Sequence, residues 1–462
     1  MQTRSSLRLQ EVDDLHDRFP EVPVEAILKE DVLRLGLAFT EDALRYTSGF
    51  KPRSYFIFSF DRRPIAGFEQ EENLRAPEEV ALVGGPRELR RTVISVRLDP
   101  DSPYRVEVRD GRLALTVDGD VVGDIRLEDT PSSYRRSLRS GKPVTEMAPT
   151  IEWGYLVYLT VYRKCQYVGV KEECQFCDIN ENYRQQRIAG RPYTAVKSVD
   201  EILEALEIVA EEDVEGRTQA YTVTGGSITR HLRGQDEASF YAAYPRAIEG
   251  RFPRRWISKL VVQALPQDDL LRFRDAGVEI YHPNYEIWDR RLFPIICPGK
   301  EDHVGRSEWM RRIVAAADVF GPSCVIPNFV AGIELARPHG YERVEDALAS
   351  TGEGLDYFMS RGITPRYTVW CPEPLSVLGK KQGPAPLEYH VGLTDLWRRT
   401  HRRYGLPAPP GYGPPGVGRA VFSVSAFMDA IDPETPVAEL RRDGNGSGES
   451  AGRSPTCGSL PS

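Results

Sequence analysis

Between Gly154 and Pro374 the chain alternates apolar, strand-like runs with helical ones, and this rhythm restricts the fold more than any other feature. The runs 154–162 (GYLVYLTVY), 219–226 (QAYTVTGG), 257–265 (ISKLVVQAL), 278–288 (VEIYHPNYEIW), 324–334 (CVIPNFVAGIE) and 363–374 (ITPRYTVWCPEP) read as strands. The first helix between them, SVDEILEALEIVAEED, opens with a capping box: Ser198 as N-cap and Glu201 three residues on. Such alternation builds parallel β/α units with right-handed crossovers, so the fold class is α/β, either a partial barrel or a doubly wound sheet. In both architectures functional side chains gather at the carboxyl ends of the strands.

The flanks differ in character. Residues 1–150 form an N-terminal α+β region of unread role. It contains a helix at VEAILKEDVLRLGL from Val24, then strands at SYFIFSF, RTVISVRL and YRVEVRDGRLALTVDGDVVGDIRL, with hairpin signals at Asp110-Gly111 and Asp118-Gly119. Residues 151–375 hold the β/α units. Residues 376–432 are a helical extension, with LEYHVGLTDLWRRTHRRYGL and the rigid PAPPGYGPPGVG. Residues 433–462, rich in Gly and Ser and poor in apolar residues, are expected to be disordered, with Cys457 incidental there.

Charge and hydropathy exclude some classes of partner. Lys plus Arg number 60 against 68 Asp plus Glu, a formal net charge of −8, which argues against a nucleic-acid scaffold. No stretch approaches the ~20 apolar residues of a membrane span, and the opening MQTRSSLRLQEVDDLHDRF has no apolar signal core. A cytoplasmic, reducing location is expected.

The seven cysteines are too few for a disulfide scaffold. Cys165, Cys174 and Cys177 nevertheless fall together as C-x8-C-x2-C, directly after the first strand of the series. A C-x2-C pair lets two thiolates converge on one centre, and the third folds back across the loop. Structural zinc needs four protein ligands, yet the nearest downstream His is His231 and the next cysteine Cys297. Three thiolates without a local fourth suit a [4Fe–4S] cluster with one open iron. A zinc site borrowing a distant ligand, or reduced thiols without metal, are the alternatives. Cys297, Cys324 and Cys371 sit in or beside strands, where buried cysteine packs as a small hydrophobe; Cys297 and Cys371, each before a proline, are secondary candidates for substrate contact.

At these residues the chain resembles the radical S-adenosylmethionine (SAM) enzymes, over about Tyr155 to Pro374. The family's usual cysteine spacing is C-x3-C-x2-C, so this loop carries five additional residues. The resemblance implies a partial (β/α)6 TIM-type barrel, a single [4Fe–4S] cluster on Cys165, Cys174 and Cys177, and SAM as co-substrate. Phe176 matches the aromatic beside the SAM adenine. Thr224-Gly225-Gly226 matches the Gly-Gly-Glu segment that binds the SAM amino group, with Ser227 in place of the glutamate. Glu286 is the candidate acceptor for ribose hydroxyls. Gly332 and Glu334 match a G-x-I-x-G-x-E region at the adenine. Also implied are an external one-electron reductant of flavodoxin or ferredoxin type and a small-molecule substrate, with cleavage of SAM to a 5′-deoxyadenosyl radical or transfer of a 3-amino-3-carboxypropyl group. A non-catalytic zinc or iron–sulfur sensor or scaffold is the competing class. No residue is assigned as catalytic. Strand alternation nominates Lys259, Gln263, Arg366, Tyr367 and Trp370 for the lumen, half of them inward. The glycine pair is expected to matter to SAM alone, so that Gly226→Val spares the cluster.

Overall fold

The computed structural model describes residues 7–53, 76–188, 190 and 194–440. The strand expected at SYFIFSF and the disorder expected over 441–462, Cys457 included, lie outside the described residues.

Six parallel strands form the central layer: β1 (Leu156–Tyr162), β2 (Ala220–Gly225), β3 (Ile257–Val262), β4 (Ile280–Pro283), β5 (Asn328–Ala331) and β6 (Arg366–Val369). Their spatial order follows the sequence. β1 to β4 pair in turn, with Tyr158 opposite Thr222 and Thr222 opposite Lys259. β5 pairs with β6, Asn328 opposite Arg366. Two isolated parallel bridges, Tyr281 to Val325 and Glu286 to Phe329, join β4 to β5. The result is an open, curved sheet, the partial (β/α)6 barrel rather than the doubly wound sheet that the alternation also allowed. Between strands run α1 (Val199–Glu212), α2 (Glu237–Arg251), α3 (Gln267–Asp275), α4 (Arg306–Phe320) and α5 (Val344–Met359), with α6 (Leu387–Arg403) after β6. α1 is capped as its sequence dictates, the Ser198 side chain accepting from the Glu201 amide. One continuous apolar core lies between strands and helices, including Val223, Leu260, Phe273, Trp309 and Phe358.

The open sheet has two edges, and both are covered. β1 pairs antiparallel with the short strand Thr150–Ile151. The edge of β6 meets residues 422–425, where the Val369 amide donates to the Val424 carbonyl (3.2 Å) and Ser425 Oγ to the Tyr367 carbonyl (2.6 Å). Covering an edge in this way satisfies its unpaired backbone groups.

The N-terminal region is helical, then β. A six-stranded sheet places Glu79–Gly84, Leu89–Ser95, Tyr104–Arg109, Arg112–Val117 and Asp120–Arg126 in largely antiparallel register, with Ala38–Phe39 parallel at one end. Its core takes in Val369, Leu387, Val391 and Ala426 from the far end of the chain. The C-terminal segment is therefore clamped between this region and the barrel. Lys29, wholly buried, pairs with Asp429 (2.7 Å), whose other oxygen accepts from Thr92 Oγ1 (3.0 Å); Glu30 accepts from the Ala426 amide (2.6 Å). Residues 433–440, within the Gly/Ser-rich tail, continue this ordered path, with Ala408 bonded to Pro436 and Ala438 through backbone (2.9 Å each).

Candidate active site

Alternation along β1 to β6 turns Tyr158, Thr222, Thr224, Lys259, Gln263, His282, Arg366 and Thr368 into one cavity, the barrel lumen. Trp370, just beyond β6, joins them, whereas Tyr367 faces the other way: its hydroxyl meets Thr394 Oγ1 (2.7 Å) and Glu30. Phe422 and Ser423 line it beside Arg366 at the start of β6, and the cysteine loop lines it at the carboxyl ends of the strands.

Cys165, Cys174 and Cys177 all line that opening, together with Phe176. Three tethers shape the loop. Asn180 receives the Cys165 amide on Oδ1 (2.9 Å), and its Nδ2 donates to the Tyr167 carbonyl (3.1 Å) and Glu173 Oε1 (3.0 Å). Gln166 accepts from the Thr229 and Arg230 amides, while its own amide donates to the Ser227 carbonyl (2.9 Å each). The Cys177 amide closes a turn onto the Cys174 carbonyl (2.9 Å). Between the tethers Val168, Gly169, Val170 and Lys171 stand exposed, so the residues beyond the usual family spacing bulge away from the cavity.

The thiols are crowded and electrostatically coupled. Burial first, and Cys174 next, push Cys165 up to about 12 and raise Cys177. Cys174 itself is lowered, by a hydrogen bond from Cys297 and, against its burial, by the Lys300 ammonium. Neighbouring thiolates oppose one another's ionisation, so joint ionisation calls for a cationic centre between them. Among the described residues no group of three or more His, Cys, Asp or Glu is drawn together as a single metal ion requires. Zinc holds its sulfurs at about 2.3 Å and hence within about 4 Å of one another. Three neighbouring thiols of one loop are instead the donor set of a cluster in which each sulfur binds its own iron. On that chemistry the three cysteines fit an iron–sulfur group.

The other nominated residues divide sharply. Thr224, Gly225 and Gly226 reach the cavity directly beneath the cysteine loop. A β-carbon on Gly226 would sit 1.8 Å from the Lys164 carbonyl and 2.6 Å from Cys165 Cα, and one on Gly225 would meet Tyr241 Oη at 2.5 Å. This corrects the expectation that Gly226 serves SAM alone: the glycine is needed because the cysteine loop itself crosses the strand end here. Glu286 lines the cavity with its backbone in the left-handed region (φ +74°), and its carboxylate pairs with Lys300 (2.7 Å). A strained, non-glycine residue at a buried ion pair is a common mark of a site. Gly332 and Glu334 are not brought to the cavity. Glu334 is wholly buried in the wall, its oxygens taken by the Gly332 amide (3.0 Å) and Thr351 Oγ1 (2.9 Å), because Gly332 (φ +101°) turns the chain inward after β5.

Sequence reasoning missed several participants. Cys297, expected to pack as a hydrophobe, is buried beside Cys174; the Gln175 amide donates to the Ile296 carbonyl (2.8 Å) and the Gly299 amide to the Glu172 carbonyl (3.1 Å). Lys300 follows on the same turn. A relay of Tyr167 Oη to Gln263 and Gln263 Nε2 to Glu237 runs beneath the loop, and burial pushes Glu237 up to about 7. Glu152 and His282 lie deeper in the cavity. Motif spacing carried no signal for these side chains, which come from separate elements. Cys324 and Cys371, though buried, do not line the cavity.

No helix of the described residues is long and apolar enough to cross a membrane. No protein-family model matches the sequence, and no curated protein matches it. Among solved structures the chain is similar to methylornithine synthase (PylB), with a TM-score of 0.41, 10% identity, and coverage of 68% of this chain and 86% of that one. It is also similar to HydG, a maturase of the [FeFe]-hydrogenase, with a TM-score of 0.38, 13% identity and 61% of each chain covered. For the HydG from Carboxydothermus hydrogenoformans the TM-score is 0.37, at 10% identity, covering 56% of this chain and 54% of that one. Likeness this loose says nothing of activity; the residues of this chain carry the reading that follows.

Proposed function

We propose that this chain is a radical SAM enzyme, with Cys165, Cys174 and Cys177 holding a [4Fe–4S] cluster at the mouth of the lumen. One observation carries the reading. The only cysteine triplet of a single loop among the described residues lies on the rim of the lumen, against the Gly225-Gly226 strand end. Held by Cys165, Cys174 and Cys177, such a cluster would supply the electron for reductive cleavage of the SAM sulfonium, to a 5′-deoxyadenosyl radical or, as the other outcome, with 3-amino-3-carboxypropyl transfer.

The chain's own residues supply position and shelter. Thr224 and the strand end after it lie where the methionine part of SAM would run, with Phe176 beside the adenine. Glu286, fixed by Lys300, presents carboxylate oxygen to ribose hydroxyls. Lys300 also sets a positive charge beside Cys174, which favours its thiolate. Phe422, Ser423 and Val424 line the lumen and are backed by the N-terminal sheet, the Ser95 amide donating to the Ser423 carbonyl (3.0 Å), which suits radical chemistry sheltered from water. The electron comes from a flavodoxin- or ferredoxin-type donor at the exposed face of the cysteine loop, and the substrate is a small molecule in the lumen. A cytoplasmic, reducing setting keeps the thiols reduced.

Cys297 favours a second reading. Its hydrogen bond to Cys174 sets a fourth thiol beside the loop, and zinc would need all four to move together around one ion. Such a protein would be a sensor or scaffold that binds no SAM. Electron paramagnetic resonance of the reduced, reconstituted protein separates the two: SAM should shift the cluster signal, since it occupies the open iron. A spectrum indifferent to SAM, or no iron spectrum at all, would favour the closed site.

A further inference from the structure

The floor of the lumen holds charged groups that the chain leaves incompletely satisfied. Glu152, 3% exposed, follows the strand Thr150–Ile151 with its backbone in the left-handed region (φ +54°), and its amide and that of Trp153 are both held by Glu79 (2.8 Å each). This strained turn aims Glu152 into the cavity, where its Oε2 is buried without a hydrogen-bond partner. Opposite stand Lys259 of β3 and Arg366 of β6. Lys259 Nζ donates to the Gly411 carbonyl (2.8 Å) and lies 3.7 Å over the Tyr412 ring. Arg366 stands over the rings of Tyr412 and Phe422, its Nε buried and unpartnered. Glu152 feels the fields of both cations, Lys259 more than Arg366. His282, wholly buried, contacts the Ile326 carbonyl through Nδ1 (2.9 Å). A carbonyl only accepts, so Nδ1 carries the proton. Burial, then Arg366 and Lys259, keep the ring neutral, and Nε2 is left as a bare acceptor with no partner.

Buried polar groups left with unpartnered atoms are costly, and a fold keeps such an arrangement where a ligand completes it. The geometry points to this floor as the substrate subsite, taking a small carboxylate with an amino or hydroxyl group beside it: the carboxylate on Arg366 and Lys259, the N–H or O–H donor on Glu152 and His282. A guanidinium fork matches a carboxylate in shape as well as charge. Arg366 and Lys259 lie three residues before the ends of their strands, about 10 Å below the rim at ~3.3 Å per residue. The ligand is therefore anchored at its acid end, with the rest reaching up toward the cysteines. The inference rests on the lumen being the reaction chamber of the proposed enzyme.

The test is thermal-shift titration of the reconstituted full chain with 2-hydroxyhexanoate and 2-aminohexanoate, each beside its carboxamide. Both acids should stabilise the protein and the amides should not; the stronger acid tells whether hydroxyl or amine is preferred. Arg366→Leu and Lys259→Met should each weaken the response about tenfold or more, as loss of a charge-assisted hydrogen bond does, and Arg366→Lys should restore part of it. Circular dichroism verifies that each variant is folded. Equal response to acids and amides, no response to either acid, or an undiminished response in folded Arg366→Leu and Lys259→Met would overturn the subsite. Iron analysis and SAM cleavage on the unmutated chain, run beside the titration, separate the claims. An unmutated chain that answers the acids but takes up no iron leaves the subsite standing and removes the enzyme reading, and an iron-loaded chain that cleaves SAM but ignores the acids does the reverse.

Discussion

The two ends of the lumen are built on opposite plans. The rim is made by one contiguous loop, Arg163 to Asp178, whose thiols and turn are near neighbours in sequence, with Asn180 close by and Gln166 tying it to Ser227, Thr229 and Arg230. The floor is assembled from Glu152, from the strand starts bearing Lys259 and Arg366, and from Tyr412 and Phe422, the last two more than two hundred residues beyond Glu152. The rim is thus local and tolerant of surface insertion, as its exposed bulge of Val168 to Lys171 illustrates. The floor depends on the whole chain closing around it, through the N-terminal clamp on Asp429 and Ala426. Chemistry that starts at the rim can be kept while the floor is redrawn for another substrate.

The largest expected effect lies at the rim. Cys165→Ala, Cys174→Ala or Cys177→Ala should each abolish iron binding, read by iron analysis, with little change in thermal stability of the metal-free protein. Retention of full iron by any one would remove that cysteine from the ligand set. Gly226→Val comes next and ties the rim to the barrel. Its side chain cannot coexist with the Lys164 carbonyl, so iron content should fall several-fold along with SAM affinity. Unchanged iron with lost SAM affinity would restore the simpler view that this glycine serves only the ligand.

The floor should break differently. Lys29→Met strands Asp429 as a buried, unpaired charge, and breaking such a pair costs about 3–5 kcal/mol. Denaturant unfolding of the metal-free chain should show that loss. A loss under about 1 kcal/mol would mean the N-terminal clamp does not hold the C-terminal segment.

The smallest effect is a slope. Glu30 is pushed up to about 8, by burial before all else, and His390 beside it is lowered to about 3 by burial and then by Arg34 and Arg97, so the facing pair (3.6 Å) is neutral at pH 7. An acid whose folded pKa exceeds its unfolded value binds more protons when folded. Its contribution to stability is present below about pH 4.5 and is lost as pH rises to about 8. Glu30→Gln should flatten the stability curve across that window. An unaltered slope would place the ionised form in the native state.

The same contrast explains what the sequence disclosed. Six strands, the capping box at Ser198 and the three cysteines were legible because each is a local pattern: periodicity, a cap, a spacing. Gly225 and Gly226 were legible as close approach, but not what approaches, since Lys164 comes from the preceding strand's loop. Gly332 and Glu334 misled because a short motif fixes residue types and not direction; one left-handed glycine turned the carboxylate into the wall. Cys297 was legible only as a secondary candidate for substrate contact and not as a neighbour of Cys174, and Glu152 not at all, for their neighbours are made by tertiary contact alone.

The central claim, a cluster at the rim that opens SAM, is tested most directly by anaerobic purification, metal analysis and mass spectrometry of SAM after incubation with dithionite. Brown protein with about four irons per chain is expected, with release of 5′-deoxyadenosine, or of 5′-methylthioadenosine if the other sulfonium bond breaks. Colourless protein containing zinc and leaving SAM intact would contradict it.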